Sequence, residues 1–278
     1  MVQRHFMQCD VFSQQPTRGN ALAVVLDGEG LTDAQMQEFA AWTNLAETTF
    51  VFRPTVPDAD YHVRIFTTEH EMPFAGHPTL GTCAAWLKSG GRPSLPGVVR
   101  QQCGVGIVEI HIDREVPAFR APPTVILDLP GQFRLNAMNA LGIADGAVLN
   151  AARLDNGPVW NALELATAEE VLHLNPTADF RSVDVPIGVF GTHQDASEAR
   201  YEVRVFVPGA GMVEDPVTGS FNAALAHWLQ SQGRIEGGHL VHQGAAVNRA
   251  GRIHVNVDNG DVFIGGETSF LIEGTVDL

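Results

Sequence analysis

Cysteine, positive charge and long apolar runs are all scarce in this sequence. Only three cysteines occur among the 278 residues, Cys9, Cys83 and Cys103. So sparse and odd a set argues against a disulfide framework and favours a reducing cytoplasmic compartment. Lysine and arginine number 17 against 32 aspartate and glutamate, which gives a formal net charge of -15. Because such a chain repels phosphate backbones and anionic lipids, we expect neither a nucleic-acid partner nor a membrane partner.

Signals for export, metals and cofactors are missing as well. No apolar run approaches the length of a membrane span, and the first nine residues lack a secretory signal's apolar stretch. His239 and His242 are three apart on a predicted strand, which points their side chains to opposite faces. The glycine pairs Gly104–Gly106 and Gly209–Gly211 lack the third glycine of a dinucleotide loop, and there is no Walker loop. We therefore expect no metal and no cofactor.

What the sequence does contain is an ordinary globular balance of 45% hydrophobic and 18% charged residues. Its length predicts one large domain or two smaller ones. Alternating and helical apolar patterns, with Thr32 as a helix cap, predict a mixture of strands and helices. The predicted helices are 33–44, 78–89, 133–140 and 218–231.

An internal repeat indicates that one strand–loop–helix design occurs twice. Arg64-Ile-Phe is echoed by Arg204-Val-Phe, an offset of 204 − 64 = 140 positions. Each strand is followed by a loop and a helix rich in proline and small residues. Aligning His77 with Asp215 and Gly81 with Gly219, each offset by 138, predicts a second loop that is two residues shorter.

The two loops are candidate anion sites. Proline follows both His77 and Asp215, which suits the first turn of a helix, and helix starts expose unpaired N–H groups. Small residues such as Gly76, Gly219 and Ser220 would let a carboxylate approach that backbone. Taken singly, Asp215 is as well explained as a helix cap and His77 as a loop histidine. Their matched placement favours a functional role.

Glu47 stands where a predicted helix leads into an apolar strand. A lone glutamate at a strand entrance is usually just solvated. In a closed cleft, however, desolvation would favour its proton-carrying form, which suits a proton shuttle.

Five segments together resemble the phenazine-biosynthesis (PhzF-like) family, and they span both halves of the chain. They are Gly19–Leu26, Leu45–Val51, Arg64–Thr67, Pro73–Thr82 and Glu214–Ser220. The resemblance implies an α+β fold like that of diaminopimelate epimerase. Two similar domains, each a mostly antiparallel sheet wrapped around a central helix, would hold the active site between them. We place these domains at 1–125 and 126–278, with the last strands packing back on the first, and expect a homodimer.

The resemblance also implies the chemistry. The best-known member of the family isomerises trans-2,3-dihydro-3-hydroxyanthranilate, so we predict a cofactor-free isomerase that moves a carbon-bound proton on a small carboxylic acid, cyclic acids included. The family's catalytic residues fall on Glu47, His77 and Asp215, and its substrate-binding positions on Gly76, Gly219, Ser220 and Asn20.

Two other functions stay open. An epimerase or racemase of the same fold would need two facing thiols, and the corresponding loops here offer Ala75 and the Glu214–Asp215 pair instead. Cys83 and Cys103 are better explained as buried structural residues. A binding protein that kept the cleft but lost catalysis is the alternative from a different class, and the complete Glu47, His77 and Asp215 set argues against it.

Overall fold

The computed structural model describes residues 2–177, 180, 183, 185–194, 197–207 and 213–278; the pair Gly209–Gly211 lies outside them. The chain divides into two units. Unit 1 comprises Met1–Arg120 and Ile264–Leu278, and unit 2 comprises Ala121–Phe263. Unit 2 is thus inserted into unit 1 in the sequence. It begins at Ala121, five residues before the domain boundary that we expect between residues 125 and 126. No helix among the described residues is long and apolar enough to cross a membrane.

Unit 1 is a mixed sheet with two helices. Its elements are β1 Gln3–Val11, β2 Asn20–Val25, α1 Asp33–Thr43, β3 Glu47–Phe52, β4 Tyr61–Phe66, β5 Glu71–Met72, α2 Gly76–Lys88, β6 Val98–Cys103, β7 Gly106–His111, β8 Ala118–Arg120 and, after unit 2 in the sequence, β18 Thr268–Asp277. The sheet runs in the order β18–β1–β2–β3–β4–β6–β7–β8, with β5 paired to β4. All these pairings are antiparallel except β2 with β3 and β4 with β6.

Unit 2 repeats this arrangement. Its elements are β9 Val125–Asp128, α3 Gly131–Leu141, β10 Asn150–Asp155, β11 Val159–Thr167, α4 Ala168–Leu172, β12 Ile187–Thr192, β13 Ala199–Phe206, β14 Glu214–Asp215, α5 Gly219–Ser231, β15 Gly237–Gln243, β16 Gly251–Asp258 and, at the boundary with unit 1, β17 Asp261–Gly265. The strands follow the order β9–β10–β11–β12–β13–β15–β16, with β14 paired to β13. Of these pairings, only β11 with β12 and β13 with β15 are parallel.

The matching orders make β1–β2–α1–β3–β4–β5–α2–β6–β7 equivalent to β10–β11–α4–β12–β13–β14–α5–β15–β16. The prediction of an α+β fold with two similar, mostly antiparallel domains is confirmed. α2 and α5 have 13 residues each, and most of their side chains are buried. A helix that is buried on nearly every side belongs to the core, which is the expected place of the central helices.

The predicted alignment of the two copies is wrong in its loops. In β4, Phe66 pairs with Glu71, and in β13, Phe206 pairs with Glu214. The turn is therefore longer in the second copy, by (214 − 206) − (71 − 66) = 3 residues. The helices begin at Gly76 and Gly219, an offset of 143. The sequence predicts an offset of 138 from one shared proline and one shared glycine. That match is accidental, because small residues recur every few positions in both segments.

Helix caps separate the four helices of the repeat into two pairs. In α1 the Thr32 side chain accepts a hydrogen bond from the Gln35 N–H, and the Gln35 side chain closes a capping box; Thr167 and Glu170 do the same for α4. The predicted cap at Thr32 is confirmed, whereas the five-residue helix α4 was too short for its periodicity to be seen. The starts of α2 and α5 have no side-chain cap at all.

Candidate functional site

Glu47 and His77 meet inside unit 1. Glu47 is the first residue of β3, and His77 is the second residue of α2. The His77 Nε2 lies 3.3 Å from the Glu47 Oε2, with the two side chains only 6% and 15% exposed. At this distance the two groups can share a proton, although the atoms are not aligned as a regular hydrogen bond.

Burial keeps the His77 ring neutral. Desolvation lowers the pKa of His77 to about 3, and a hydrogen bond with the backbone of Ala21 offsets only part of that shift. The ring therefore carries no charge at neutral pH. A neutral imidazole has one donor and one acceptor nitrogen, so it can take part in proton transfer without adding a cation to the site.

Gly76 and Asn20 lie around this pair. Gly76 opens α2 directly before His77 and is buried. Asn20 opens β2, is buried, and precedes Ala21, the backbone partner of His77. In the sheet, Leu22 of β2 pairs with Glu47 of β3. Four of the seven predicted site residues are thus placed on adjoining elements of unit 1.

Asp215 does not stand at a helix start, and this prediction is corrected. It ends the two-residue strand β14, while the N-cap of α5 is Thr218. The Thr218 hydroxyl donates to the Asp215 Oδ2 at 2.6 Å instead of capping the helix. The helix residue equivalent to His77 is Ser220, by the offset of 143. Asp215 is equivalent to Met72 of β5.

A buried amide network holds this segment in place. Gln243 of β15 donates to the Asp215 carbonyl at 3.1 Å and to the Thr218 hydroxyl at 2.9 Å. Its own amide oxygen accepts from the Thr218 N–H and from the Asn222 side chain. We did not single out these residues from the sequence. Thr218 could have been found as a cap residue, but nothing in the sequence connects Gln243 with a loop 25 residues earlier.

Gly219 and Ser220 form the first turn of α5. Gly219 is buried and Ser220 is half-buried. The Ser220 carbonyl accepts a hydrogen bond from the Asn156 side chain at 2.9 Å. That contact positions the start of the helix through its backbone.

Comparison with known proteins identifies the family. Residues 9–274 match the family described as phenazine biosynthesis-like protein (PhzC-PhzF). The chain belongs to this family. It is 35% identical to the antisense-enhancing sequence 1 protein of Schizosaccharomyces pombe over 99% of both chains. It is 32% identical to the trans-2,3-dihydro-3-hydroxyanthranilate isomerase of Pseudomonas chlororaphis, covering 88% of this chain and 87% of that enzyme.

A solved structure supports the fold of this PhzF-family chain. The phenazine biosynthesis protein of the PhzF family from Bacillus anthracis superimposes with a TM-score of 0.87 over 100% of both chains, at 23% identity. The resemblance noted in the sequence is therefore confirmed. The prediction of an isomerase is confirmed at the level of the family, because the relatives from Pseudomonas chlororaphis and Pseudomonas aeruginosa are both named as trans-2,3-dihydro-3-hydroxyanthranilate isomerases.

The cysteines of this family member are poor acid–base groups. Cys9, Cys83 and Cys103 are free and buried, as expected for the latter two. Burial raises the pKa of Cys9 and of Cys83 to about 12, and it raises the pKa of Cys103 as well. All three thiols are protonated at neutral pH, and the N-cap positions of the two central helices are held by Ala75 and Thr218. A mechanism with two thiols is thereby disfavoured.

Proposed function

We propose that this protein is a cofactor-independent isomerase that moves a carbon-bound proton on a small carboxylic acid, with Glu47 as the general acid and base. The observation that carries the proposal is the buried pair of Glu47 and His77, with 3.3 Å between the Oε2 and the Nε2. A carboxyl group in such surroundings is suited to take a proton from one carbon atom and to deliver a proton to another.

The hydrogen bonding of His77 suggests how the pair works. The Nε2 has no hydrogen-bond partner, so the bond to the Ala21 backbone belongs to the Nδ1. An imidazole that donates from the Nδ1 presents a lone pair at the Nε2. The contact with Glu47 then closes as a hydrogen bond when the carboxyl holds the proton. In this mechanism His77 stabilises the intermediate state in which Glu47 has taken the proton from carbon and has not yet returned it.

The two central helices offer places for the substrate carboxylate. The starts of α2 and α5 have no side-chain cap, which leaves the N–H groups of their first turns for an anion. We propose that Gly76 and Asn20 contribute to binding in unit 1, and Gly219 and Ser220 in unit 2. Asp215, fixed by Thr218, is proposed to adjust the protonation of a substrate oxygen or nitrogen.

Cyclic amino and hydroxy carboxylic acids are the substrates we propose, because the relative from Pseudomonas chlororaphis is named for dihydro-hydroxyanthranilate. Homodimeric assembly and a cytoplasmic location are also proposed, the first from the family resemblance and the second from the sparse cysteines. Neither is needed for the proton-transfer step.

Deuterium incorporation from solvent into a panel of such acids, measured by mass spectrometry, tests the proposal. The panel includes trans-2,3-dihydro-3-hydroxyanthranilate. We expect wild-type protein to exchange one carbon-bound proton of at least one acid, and Glu47→Gln to slow that exchange by about 10²–10⁴-fold, the usual contribution of a positioned general base. His77→Gln should slow it less, because the carboxyl that carries the proton remains.

Glu69→Gln is the matched control, since Glu69 is an exposed glutamate of the same unit. It should exchange as fast as wild type. Equal exchange by wild type and Glu47→Gln would refute the role of Glu47. Binding of a panel acid by wild type with no exchange would support the alternative, a binding protein of this fold without catalysis.

A further inference from the structure

Three ligand-type side chains, one glutamate and two histidines, come together in unit 2. His193 follows β12, Glu202 lies in β13, and His242 lies in β15. Glu202 and His242 are directly paired across the parallel strands, so their side chains share one face of the sheet. His193 joins them because its N–H bonds to the carbonyl of Arg200, which extends the pairing of β12 with β13.

The spacing of the three groups fits a metal ion. One ligand atom from each residue lies within 4.8 Å of the other two. The His193 Nε2 and the Glu202 Oε2 are 3.3 Å apart, and the rings of His193 and His242 meet edge to face at 5.8 Å. Two ligands that each lie about 2.0–2.1 Å from a tetrahedral zinc ion are about 3.3–3.4 Å apart. The remaining separations, at most 4.8 Å, would have to shorten to about 3.3–3.4 Å to complete such a site.

Glu202 supplies an independent sign that a cation belongs here. Its side chain is 4% exposed, and its Oε1 has no hydrogen-bond partner among the described residues. A buried carboxylate oxygen without a partner is uncommon in folded proteins, because the lost hydration is not replaced. A bound cation would replace it.

The charged neighbours leave this carboxylate available. Arg204, two residues further along β13, is held by Glu214 through a contact of 2.6 Å. Arg252 of β16 is paired with Glu198. The Glu198 Oε1 also lies 3.3 Å from the His242 Nε2. Glu198 is 55% exposed and does not belong to the three-residue group. Arg204 and Arg252 are therefore both occupied by other carboxylates.

We propose that His193, Glu202 and His242 form a binding site for one divalent transition metal ion of the zinc class. Two imidazole nitrogens and one carboxylate oxygen favour Zn²⁺, Ni²⁺ or Cu²⁺ over Mg²⁺ and Ca²⁺, which prefer oxygen ligands throughout. Three protein ligands leave a fourth position for water. The ion would link β12, β13 and β15, three neighbouring strands of one sheet.

The site was not visible in the sequence. Its ligands are separated by 202 − 193 = 9 and 242 − 202 = 40 positions, which matches no local metal-binding motif. His239, three residues before His242, meets the Tyr201 ring edge to face and is not part of the group. Only the pairing of the strands brings His242 to His193.

Titration of metal-free, tag-free protein with Zn²⁺ alone, followed by calorimetry, tests the site. We expect one Zn²⁺ per chain, and with Co²⁺ as a spectroscopic probe the visible absorption of a four-coordinate complex. Glu202→Gln and His242→Gln should each weaken binding by at least about tenfold, because each removes one of three ligands. Zn²⁺ should also raise the unfolding temperature of wild type but not of these variants.

His239→Gln is the matched control, since it removes a histidine from the same strand outside the group. It should bind Zn²⁺ like wild type. His242→Gln removes a partly exposed side chain and should fold even if the buried change at Glu202 does not. Absence of binding by wild type, or binding of equal strength by wild type and His242→Gln, would overturn the proposal.

Discussion

The two copies of the repeated module differ most where chemistry would take place. Phe66 of β4 and Phe206 of β13 are equivalent, and their partners in the neighbouring strand are Thr48 and Ile187. Each partner is preceded by the residue of interest, so Pro186 is the equivalent of Glu47. Ser220 is likewise the equivalent of His77. The first copy therefore has two titratable side chains in contact, and the second has a proline and a hydroxyl at the same places.

This difference teaches that two copies of one fold can keep the same backbone features while their side chains at equivalent positions differ in chemistry. The backbone features are shared: both central helices start without a side-chain cap, and both preceding helices have a capping box. Both copies also keep a strand arginine paired with a glutamate. What differs is the titratable pair of Glu47 and His77, which the first copy has and the second lacks at the equivalent positions. The second copy has neutral hydrogen-bonding groups around Thr218 and Asn222.

The largest contrast should come from the shared arginine–glutamate pair. Arg204 and Glu214 are 5% and 4% exposed, whereas Arg64 and Glu71 are 22% and 41% exposed. Arg204→Leu leaves a buried carboxylate without a partner and should lower the free energy of unfolding by about 3–5 kcal/mol. Arg64→Leu should lower it by less than about 1 kcal/mol. Urea denaturation of both variants measures the difference.

The double variant Arg204→Leu/Glu214→Leu should recover much of the lost free energy of unfolding, because it also removes the unpaired Glu214 carboxylate. Equal losses for the two single variants would show that burial does not distinguish the copies.

A second contrast concerns acid. The pKa of His77 is lowered to about 3 by burial, so between that value and about 6.5 the unfolded chain binds a proton that the folded chain does not. Stability from this residue is present above about pH 6.5 and is lost as the pH falls. His77→Gln should remove about 1.6 kcal/mol of the decline in unfolding free energy between pH 6.5 and 5.

Urea denaturation at the two pH values measures this effect. Ser220→Ala, the change at the equivalent position, should leave the decline as it is in wild type. A decline of the same size in His77→Gln would mean that His77 is protonated in the folded protein.

The smallest expected contrast is in helix packing. A Cβ at Gly81 in α2 would lie 2.6 Å from the Leu22 Cδ2 and 2.9 Å from the Val11 Cγ2. We expect Gly81→Ala to lower the free energy of unfolding by about 1–2 kcal/mol, because overpacking outweighs the gain in helix propensity. Thermal unfolding checks the sign. The second copy already has Ala224 at the equivalent place, and stabilisation by Gly81→Ala would show that the difference has no packing cause.

Most of the fold was predictable, because apolar periodicity and turn residues determine it locally. The helix from Asp33 to Thr43 with its cap at Thr32 was predicted almost to the residue. The short elements β5, β14 and α4 were missed, since two to five residues cannot display a period. Without β5 and β14, the sequence-based alignment misjudges the turn lengths. It therefore places the two copies five residues out of register at the helices.

The site was predictable only where the chain sequence resembles a known motif. Glu47 and His77 were named, but their contact depends on β3 and α2 being adjacent in space, which no local pattern reveals. The Gln243 network and the group of His193, Glu202 and His242 come from residues that are distant in the sequence. Sheet register, rather than composition or spacing, decides which of these side chains meet.

The pairing of β18 with β1 has a consequence for synthesis on the ribosome. Gln3 pairs with Asp277 and Val11 with Thr268, so β1 cannot find this neighbour until the residues of β18 have left the exit tunnel. Unit 2 is contiguous in the sequence and has all its strands available earlier. Because domains tend to fold as they emerge, the nascent chain would complete the inserted unit first, with the edge of β1 left open to wrong partners in the meantime.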